Sequence, residues 1–333
     1  MCGISGIISI DGYTNSEELN RNCLQMIQAI HYRGPDNIGQ WHSDDRKVHF
    51  AHRRLSIIDL TDSAHQPMSY KNNWVLTFNG EIYNFLELKN KLTRFGYVFN
   101  TKSDTEVLLA GLDYFGDDIF KHLDGMYAFA AYNHSSNELL LARDPFGEKP
   151  LYYSIDKKII KFSSELKSFD ATSDTNFSID RESLSNYFLL QYIPSPKTIY
   201  EGIKKLPPGS YLKFNLNDNS QQIHTYYKYE PTIKKEFKNI DEHVDELESL
   251  LIDSLKKRLV SDVSIGAFLS GGIDSSIVCA LIKNKLHVDI DAYTIGFHDS
   301  NESEHTTASA IAKHLKINHS VQMLDFNNFE DFI

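Results

Sequence analysis

Cysteine is scarce in this sequence, and its three residues, Cys2, Cys23 and Cys279, are far apart and odd in number. Their count excludes a disulfide framework of the secreted kind, and their spacing excludes the common paired-cysteine metal motifs. Cys23 and Cys279 fall on apolar faces of predicted helices, where a thiol behaves as a small core residue. We therefore expect a reduced, soluble, cytoplasmic protein.

A surplus of basic residues is also missing. The chain carries 34 Lys and Arg against 45 Asp and Glu, a net charge of -11. Little positive charge is available to neutralise phosphates, so neither nucleic acid nor an anionic membrane is an expected partner. No apolar run approaches the ~18 residues of a membrane span, and no basic segment precedes the first apolar run, as it would in a secretory signal. The 333 residues suggest about two domains.

The most informative feature that is present lies at the start of the chain. If Met1 is removed, as the small side chain of Cys2 allows, one residue carries both a thiol and a free α-amine. An α-amine titrates near pH 8 and can take the thiol proton, directly or through a water, so a nucleophile and its base occur together. The alternative is that Met1-Cys2-Gly3 is only the translated start of the chain, followed by a buried strand at 4–10 and a turn at Asp11-Gly12.

Local patterns predict strands and helices in separate runs in the first half. The predicted helices are one capped by Ser16 with Leu19, Cys23, Ile27 and Ile30 on one face, one at 85–95 with Gly96 as its C′ residue, and one capped by Ser103. The predicted strands lie at 48–53, 74–78 and Tyr152-Tyr153, and 127–132 and 139–143 form a predicted hairpin. Separate runs favour an α+β sandwich over a doubly wound sheet.

Residues 170–240 are rich in turns and polar residues and indicate a domain boundary. The segments predicted around and after it are helices at 182–190, 242–259, 275–284 and 304–315, and strands at 265–269, 289–297 and 317–324. On the 242–259 helix one apolar face is formed by Val244, Leu247, Leu250, Leu251 and Leu255. The last elements alternate between strand and helix, which favours a parallel sheet.

The strand at 265–269 runs into Ser270-Gly271-Gly272-Ile273-Asp274-Ser275-Ser276. Two glycines let backbone N–H groups turn toward an anion, three hydroxyls add donors, and a helix N-terminus points at the charge. No Gly-Lys-Ser/Thr follows at the spacing of a Walker A loop, so that motif is excluded. The alternative is a Gly-Gly turn that only joins the strand to the helix.

Six strings in the first half occur in one order, and together they resemble a known family. They are Cys2-Gly3-Ile4, Arg33-Gly34-Pro35-Asp36, Arg54-Leu55-Ser56-Ile57-Ile58-Asp59, Phe78-Asn79-Gly80-Glu81-Ile82-Tyr83-Asn84, Ser103-Asp104 and Arg143-Asp144-Pro145-Phe146-Gly147. The set resembles the glutaminase domain of class II glutamine amidotransferases, specifically the glutamine-hydrolysing asparagine synthetase family, tightly over residues 2 to about 170 and more loosely beyond. The resemblance implies an α+β N-terminal nucleophile αββα sandwich, followed by a partial α/β parallel-sheet domain of the ATP pyrophosphatase type. We expect a glutaminase domain at 2–205, a linker at 206–240 and the N-terminal part of the ATP-binding domain at 241–333.

The resemblance also implies a site for L-glutamine. Its catalytic residues would be Cys2, with the Asn79 side-chain amide and the Gly80 backbone N–H as oxyanion hole. Its glutamine-binding residues would be Arg54, Leu55, Ser56, Ile57, Ile58, Asn79, Gly80, Glu81 and Asp104. In that assignment the planar fork of Arg54 binds the α-carboxylate, and Glu81 and Asp104 accept hydrogen bonds from the α-ammonium.

Taken singly, each of these residues has a structural alternative. Arg54 suits a surface ion pair, Asn79-Gly80 a hairpin turn and Asp104 a helix cap. The sequence also departs from the family pattern at Tyr32, which separates His31 from Arg33 where the family usually has His directly before Arg. His31 is therefore left out of the predicted site.

Downstream of a glutaminase domain, the loop at 270–276 resembles the pyrophosphate-binding loop of ATP pyrophosphatase domains. The ATP-binding residues that this resemblance implies are Leu269, Ser270, Gly271, Gly272, Asp274, Ser275 and Ile295, with the backbone near Ile295 meeting the adenine. ATP and Mg²⁺ are the expected cofactors, and the residues that would hold the metal stay unknown. A parallel, right-handed sheet with this loop at the carboxyl end of a strand is expected.

The implied function is glutamine-dependent asparagine synthesis from ATP, L-aspartate and L-glutamine. Ammonia released at Cys2 would reach an acceptor carboxylate that the second domain adenylates. Two alternatives stay open: a relative that acts on another carboxylate in a polysaccharide or natural-product pathway, and a non-catalytic protein that only binds glutamine or nucleotide. A homodimer is one candidate assembly. Family members continue well beyond the point that matches Ile333, so we expect a truncated chain whose acceptor pocket lies outside it.

Overall fold

The computed structural model describes residues 1–10, 15–156, 158–172, 177–231, 239–297 and 304–324. The predicted Asp11-Gly12 turn lies outside the described residues. The chain divides into two compact units, Met1–Glu230 and Pro231–Ile333. None of the helices in the described ranges is long and apolar enough to cross a membrane.

The first unit is built from short strands and five helices within its described ranges. Its strands are β1 (Gly3–Ser9), β2 (Asn37–His42), β3 (Val48–Arg54), β4 (Met68–Tyr70), β5 (Trp74–Ile82), β6 (Gly125–Asn133), β7 (Glu138–Arg143), β8 (Tyr152–Ile155), β9 (Ile159–Ser163), β10 (Ile203–Lys205), β11 (Ser210–Asn215) and β12 (Gln221–Thr225). Its α-helices are α1 (Ser16–Gln28), α2 (Phe85–Arg94), α3 (Asp104–Phe115), α4 (Lys167–Asp170) and α5 (Arg181–Leu190).

These strands form two antiparallel sheets. The first has the order β10-β8-β9-β1-β3-β2, and the second has the order β12-β11-β7-β6-β5-β4. Every residue of β1 is buried, because one face of its sheet packs on α1 and the other on the second sheet. A strand covered on both faces reads as a continuous apolar run rather than as an alternation.

Three apolar clusters show the order of the layers. Ile7 packs with Leu19 and Met26 of α1 on one face of the first sheet. A second cluster, which includes Ile4 and Ala128, fills the space between the two sheets. A third joins the second sheet to α2 and α3. The first unit is therefore an αββα sandwich, as the sequence predicts.

The helix ends follow from local chemistry. Ser103 accepts a hydrogen bond from the Glu106 N–H and caps α3, as predicted. Gly96 follows the end of α2 with a φ of +88°, the left-handed conformation that suits a glycine at the C′ position. The cap of α1 is Asn15, whose side chain accepts the Glu17 N–H, and not the predicted Ser16, because the hydrogen bond needs an oxygen one residue before the first helical turn.

The first unit extends further than the predicted domain at 2–205. Residues 206–230 were predicted to be linker, yet β11 and β12 join the second sheet, where Leu212 pairs with Leu141 and Ile223. Leu212 and Phe214 are buried in the core between the sheets. Burial of these apolar side chains explains why the segment folds with the first unit, although its polar neighbours resemble a linker.

The second unit, described by itself, is a parallel α/β arrangement. Its elements are α6 (Ile240–Arg258), β13 (Gly266–Phe268), α7 (Ile273–Asn284), β14 (Asp291–Phe297), α8 (His305–Leu315) and β15 (Asn318–Leu324). The strands pair in parallel in the order β13-β14-β15. This agrees with the predicted partial parallel-sheet domain.

The apolar face predicted for α6 is only partly covered. Leu255 packs against the core of the second unit, whereas Val244, Leu247 and Leu250 are exposed. The reason is that only the C-terminal end of this helix reaches that core. The helical period was predicted correctly, but the period cannot tell how much of the face is buried.

Candidate active site

A cavity of about 230 Å³ lies where the N-terminus meets the ends of several strands in the first unit. It is lined by Met1, Cys2, Arg54, Leu55, Ile57, Ile58, Ala64, Gln66, Phe78, Asn79, Gly80, Glu81, Ser103, Asp104, Thr105, Met126 and Lys149. Pockets for drug-sized ligands have volumes of ~300–1,000 Å³, so this one suits a smaller molecule. Every predicted residue of the glutamine site except Ser56 lines it.

Cys2 enters the cavity from the start of β1, which lies between β9 and β3 in its sheet. The Leu55 N–H donates to its sulfur at 3.4 Å, and the Sγ lies 3.6 Å from the Leu55 carbonyl oxygen. Burial raises the pKa of the Cys2 thiol. The thiol is therefore protonated at neutral pH, and a reaction that uses the thiolate needs a base inside the site.

Asn79 and Gly80 come from β5, next to the cavity. The side chain of Asn79 is buried, and neither its Oδ1 nor its Nδ2 has a hydrogen-bond partner among the described residues. A buried carboxamide without partners is costly, so its presence beside Cys2 points to a ligand. Its neighbour must be glycine, because a Cβ at Gly80 would lie 2.2 Å from the Met126 carbonyl oxygen.

The backbone of Gly80 is oriented by the alternation of an antiparallel strand. The Tyr83 N–H bonds to the Asp124 carbonyl at 2.7 Å on the β6 side. Phe78 and Ile82 direct their N–H groups to the opposite edge, where Gln66 and Asp104 accept them. Alternation of two residues places the Gly80 N–H on that same edge, where Gly80 lines the cavity.

Asp104 is brought to the site by the first turn of α3. Its Oδ2 accepts the Ile82 N–H at 3.0 Å, which ties the helix start to the end of β5. Burial, together with the neighbouring charge of Glu81, raises the pKa of the Asp104 carboxyl to about 7. The buried carboxyl of Asp104 and the half-buried carboxyl of Glu81 therefore line one cavity, where a bound cation would favour their ionised forms.

Arg54 is buried at the end of β3, and its guanidinium organises the loop that follows. Nη1 donates to the Thr61 carbonyl at 3.0 Å, and Nη2 donates to the carbonyls of Ile58 and Asp59. The terminal nitrogens of Arg54 therefore hold the loop. A guanidinium has five N–H donors, so donors remain for a carboxylate in the cavity that Arg54 lines.

Neither Ser56, which was predicted for the glutamine site, nor His31, which was left out of it, lines the cavity. Ser56 does not line the cavity, and its N–H donates to Asp36 Oδ2 at 2.7 Å, since the loop turns away between Leu55 and Ile57. His31 is exposed, with its Nδ1 3.2 Å from the Gln28 carbonyl oxygen. It is not part of the cavity lining, in agreement with its omission from the predicted site.

Lys149 is a cavity residue for which sequence reasoning assigned no role. It is 6% exposed, and burial lowers the pKa of its ammonium. Its Nζ lies 3.4 Å from the Met1 sulfur. The loop that delivers it is held by Asp144, which accepts the N–H groups of Phe146, Glu148 and Lys149. The string from Arg143 to Gly147, which ends two residues before Lys149, was the available signal. Only the fold shows that Lys149 lines the cavity.

The loop after β13 in the second unit has the form expected of an anion site. Gly271 has a φ of +83°, a conformation that glycine adopts without strain. Ser270 Oγ and Ser275 Oγ lie 3.0 Å apart, and the Gly272 N–H donates to Ser270 Oγ at 3.3 Å. Asp274 lies in the first turn of α7. Leu269 is buried beneath the loop, and Ile295 on β14 is exposed.

No group of three or more His, Cys, Asp or Glu side chains that could hold a metal ion occurs within the described ranges. The three cysteines are free thiols. Cys23 and Cys279 are buried, as predicted for core residues.

Comparison with known proteins gives consistent matches along the chain. The glutamine amidotransferase domain family matches residues 1–227, and the asparagine synthase family matches residues 246–332. Glutamine-hydrolysing asparagine synthetase 1 of Bacillus subtilis (strain 168) is 38% identical over 322 residues, which are 95% of this chain and 49% of that protein. The putative glutamine-hydrolysing asparagine synthetase 2 of Methanocaldococcus jannaschii is 34% identical over 357 residues, which cover 100% of this chain and 67% of that protein.

A solved structure supports the fold. Glutamine phosphoribosylpyrophosphate amidotransferase from B. subtilis, in complex with ADP and GMP, aligns with a TM-score of 0.50 and 20% identity. The alignment covers 96% of this chain and 65% of that one. At this identity the likeness concerns the fold alone.

The αββα sandwich and the family match over residues 1–227 place the first unit in the class of glutamine amidotransferase domains. Together with the match over the second unit, the relatives show that the chain belongs to the glutamine-hydrolysing asparagine synthetase family. The chain spans about half the length of the Bacillus relative.

Proposed function

We propose that this protein is a glutamine-dependent asparagine synthetase. It would convert ATP, L-aspartate and L-glutamine to L-asparagine, L-glutamate, AMP and pyrophosphate. The observation that carries the glutaminase half is the buried, unpartnered Asn79 carboxamide on the same cavity as the Cys2 thiol. The names of the relatives support aspartate as the acceptor. A carboxylate from a polysaccharide or natural-product pathway is the alternative acceptor.

Glutamine would lie with its α-ammonium and α-carboxylate, which share one carbon, at one part of the cavity and with its side-chain carboxamide at Cys2. Its α-ammonium would lie at Glu81 and Asp104, where a cation compensates the half-buried carboxyl of Glu81 and the buried carboxyl of Asp104. Its α-carboxylate lies at the donors of Arg54 that the loop carbonyls leave available. Leu55, Ile57 and Ile58 supply the apolar wall along the side chain. The carboxamide then meets the Cys2 sulfur.

The chemistry follows from the groups around that sulfur. After removal of Met1, the α-amine of Cys2 takes the proton of the thiol, whose raised pKa makes a base necessary. The thiolate attacks the carboxamide carbon, and the negative oxygen that forms is bound by the Asn79 amide and the Gly80 N–H. The protonated amine gives its proton to the leaving nitrogen, ammonia departs, and a glutamyl thioester remains. Water then releases L-glutamate and restores the thiol.

The second unit is proposed to bind ATP through the loop at 269–275. Its backbone N–H groups, the hydroxyls of Ser270 and Ser275, and the N-terminus of α7 suit phosphate oxygens. Bound ATP supplies the activation of the acceptor carboxylate. Mg²⁺ would be held largely by the phosphates, since no cluster of metal-binding side chains occurs among the described residues.

In this proposal residues 2–230 act as the glutaminase domain, and residues 241–333 belong to the ATP-binding domain. The free state of Cys2, Cys23 and Cys279 suits a cytoplasmic enzyme. A homodimer stays a prediction.

Glutamine turnover with matched variants tests the glutaminase half. We expect the protein to release glutamate and ammonia in equal amounts and to form an acid-stable glutamyl adduct on Cys2 that mass spectrometry detects after quenching. Cys2→Ala should abolish both. Asn79→Ala should lower kcat by about 10²–10³-fold, with a smaller effect on KM. Continued hydrolysis by Cys2→Ala would contradict the proposal.

The acceptor is tested by supplying glutamine, aspartate and Mg-ATP together. In a protein that includes the acceptor pocket, asparagine and AMP are expected in equal amounts. AMP formation that depends on a different carboxylate, with none from aspartate, would favour the alternative acceptor.

A further inference from the structure

The cavity-facing edge of β5 loses its neighbouring strand before it reaches the oxyanion-hole residues. β4 pairs with β5 only from Trp74 to Leu76. The backbone groups of Phe78, Gly80 and Ile82 therefore need other partners along this edge.

Side chains from three separate elements replace the missing strand. Gln66 Oε1 accepts the Phe78 N–H at 2.7 Å. His52 on β3 lies with its Nε2 3.1 Å from the Phe78 carbonyl oxygen. Asp104 Oδ2 accepts the Ile82 N–H at 3.0 Å. The Gly80 N–H, between Phe78 and Ile82 on this edge, is the one directed at the cavity.

Gln66 makes a second hydrogen bond, whereas His52 is enclosed by the core and its Nδ1 has no hydrogen-bond partner among the described residues. The Gln66 amide also donates to Thr105 Oγ1 at 3.2 Å, so it joins β5 to the helix turn that carries Asp104. His52 is fully buried, which lowers the pKa of its ring to about 3. The ring is therefore neutral, and because its partner is a carbonyl, its proton lies on Nε2.

We propose that Gln66 and His52 are positioning residues that clamp both peptide groups of Phe78 and thereby aim the Asn79 carboxamide and the Gly80 N–H at the Cys2 sulfur. This inference rests on the proposed glutaminase function of the same cavity. Neither residue touches the reacting atoms. Gln66 lines the cavity, but its amide oxygen and nitrogen are both engaged within the protein.

The clamp acts on the peptide next to the reacting groups. The Phe78 carbonyl that His52 holds belongs to the same peptide plane as the Asn79 N–H. If that plane rotates, both oxyanion donors move, and such donors act only at 2.7–3.1 Å from the oxygen. A misplacement of about 1 Å can cost ~10²-fold in rate. Substrate contacts at Arg54 and Asp104 lie on β3 and α3 and do not depend on this plane.

Steady-state kinetics of four variants test the clamp. Gln66→Met keeps the length of the side chain but loses both hydrogen bonds, and His52→Leu loses the donor. Both are expected to lower kcat for glutamine hydrolysis by about 10- to 100-fold, with KM changed less than about threefold. His52→Gln places an amide donor near the former Nε2 and should restore kcat to within about threefold of wild type.

Thr77→Val is the matched control for general weakening of the same strand. Thr77 Oγ1 donates to the Ala51 carbonyl at 3.4 Å from the neighbouring position of β5 and is fully buried. The Thr77→Val variant loses this buried hydrogen bond, but the change does not touch the Phe78 peptide. Its melting temperature should therefore fall while its kcat stays unchanged. All rates are compared well below each variant's melting temperature.

A readout of the oxyanion hole completes the experiment. The Cys2 sulfur adds to the aldehyde analogue of glutamine, and the oxygen of the adduct then lies in the oxyanion hole. In the clamp variants the inhibition constant of this aldehyde should rise in step with the fall in kcat. Binding of L-glutamate, which forms no such adduct, should change little. Wild-type kcat in Gln66→Met, or no recovery in His52→Gln, would overturn the inference. An inactive wild type would overturn the proposed function and this inference together, whereas an active wild type with unaffected variants overturns the inference alone.

Discussion

Asp104 and Ile82 join a helix start to a strand end: the buried carboxylate of Asp104 accepts the Ile82 N–H at 3.0 Å. Burial and the charge of Glu81 raise the pKa of this carboxyl to about 7. The same group therefore positions the strand and changes its charge in the physiological pH range. Two predictions depend on this relationship.

Glutamine binding is expected to weaken as the pH falls through 7. Asp104 must be ionised to bind the α-ammonium, and with a pKa of about 7 its ionised fraction falls about tenfold between pH 8 and pH 6. The dissociation constant should rise by about that factor. Calorimetry on Cys2→Ala measures binding without turnover. Asp104→Asn should bind weakly with no pH dependence over this range, and a flat profile in the Asp104-containing protein would contradict the assignment.

Asp104→Asn is expected to stabilise the fold at neutral pH. The folded-state pKa of about 7 lies above the ordinary value of 3.8, so the contribution of this carboxyl is fully present below pH ~4 and is lost as the pH rises through 7. At pH 8 the variant should gain up to about 4 kcal/mol in the free energy of unfolding, because an asparagine oxygen still accepts the Ile82 N–H. Urea unfolding at pH 4 and pH 8 measures the difference.

Asp118→Asn is the control, since Asp118 is exposed and pairs with Lys121 on the surface. It should leave the free energy of unfolding nearly unchanged at either pH. An Asp104→Asn protein that is less stable than wild type at pH 8 would show that ionised Asp104 supports the fold.

Arg54→Lys is expected to loosen the loop over the cavity. The guanidinium bonds the carbonyls of Ile58, Asp59 and Thr61, and one ammonium cannot reproduce that planar pattern. We expect a loss of about 1–3 kcal/mol in the free energy of unfolding and a KM for glutamine raised at least about tenfold, since loop and carboxylate depend on one side chain. Urea unfolding and steady-state kinetics measure the two effects.

Arg53→Lys is the matched control on the preceding residue of β3. The Arg53 side chain bonds to Gln28 at the surface and does not line the cavity. Its KM should stay near the wild-type value. A near-normal KM in Arg54→Lys would remove Arg54 from the glutamine site.

The mature protein is expected to begin at Cys2, because the proposed base is that residue's own amine. Intact-mass measurement should show the loss of Met1. A tag fused before Met1 that cannot be cleaved should abolish glutaminase activity, while the same tag at the C-terminus should leave it intact. Activity with the N-terminal tag in place would show that another group takes the thiol proton.

Much of the fold could be predicted because its signals are local. The Ser103 cap and Gly96 at the end of α2 depend on one turn of backbone, and both occur as predicted. The same holds for the hairpin of β6 and β7. Cys2, Asn79, Gly80 and Asp104 could be named from their strings, and they line one cavity.

The remaining features depend on contacts between distant segments. Residues 206–230 resemble a linker in composition, but Leu212 and Phe214 are buried between the sheets, and burial is a property of the partner surface. Arg54 was predicted to bind a carboxylate, and only the fold shows that three loop carbonyls also accept hydrogen bonds from its guanidinium. The apolar residues of α6 recur with the helical period, but the core of the second unit covers only the C-terminal end of their face.

The sequence by itself determined which chemical groups are available, namely a thiol at the second position, a carboxamide, a glycine N–H and a pair of carboxyl groups. Only the tertiary structure decided which edge of β5 lacks a neighbouring strand, so that Gln66 and His52, 12 and 26 residues before Phe78, hold its peptide groups. The reason is physical: periodicity and capping act within a few residues, whereas a strand edge acquires its partners only after the layers have packed.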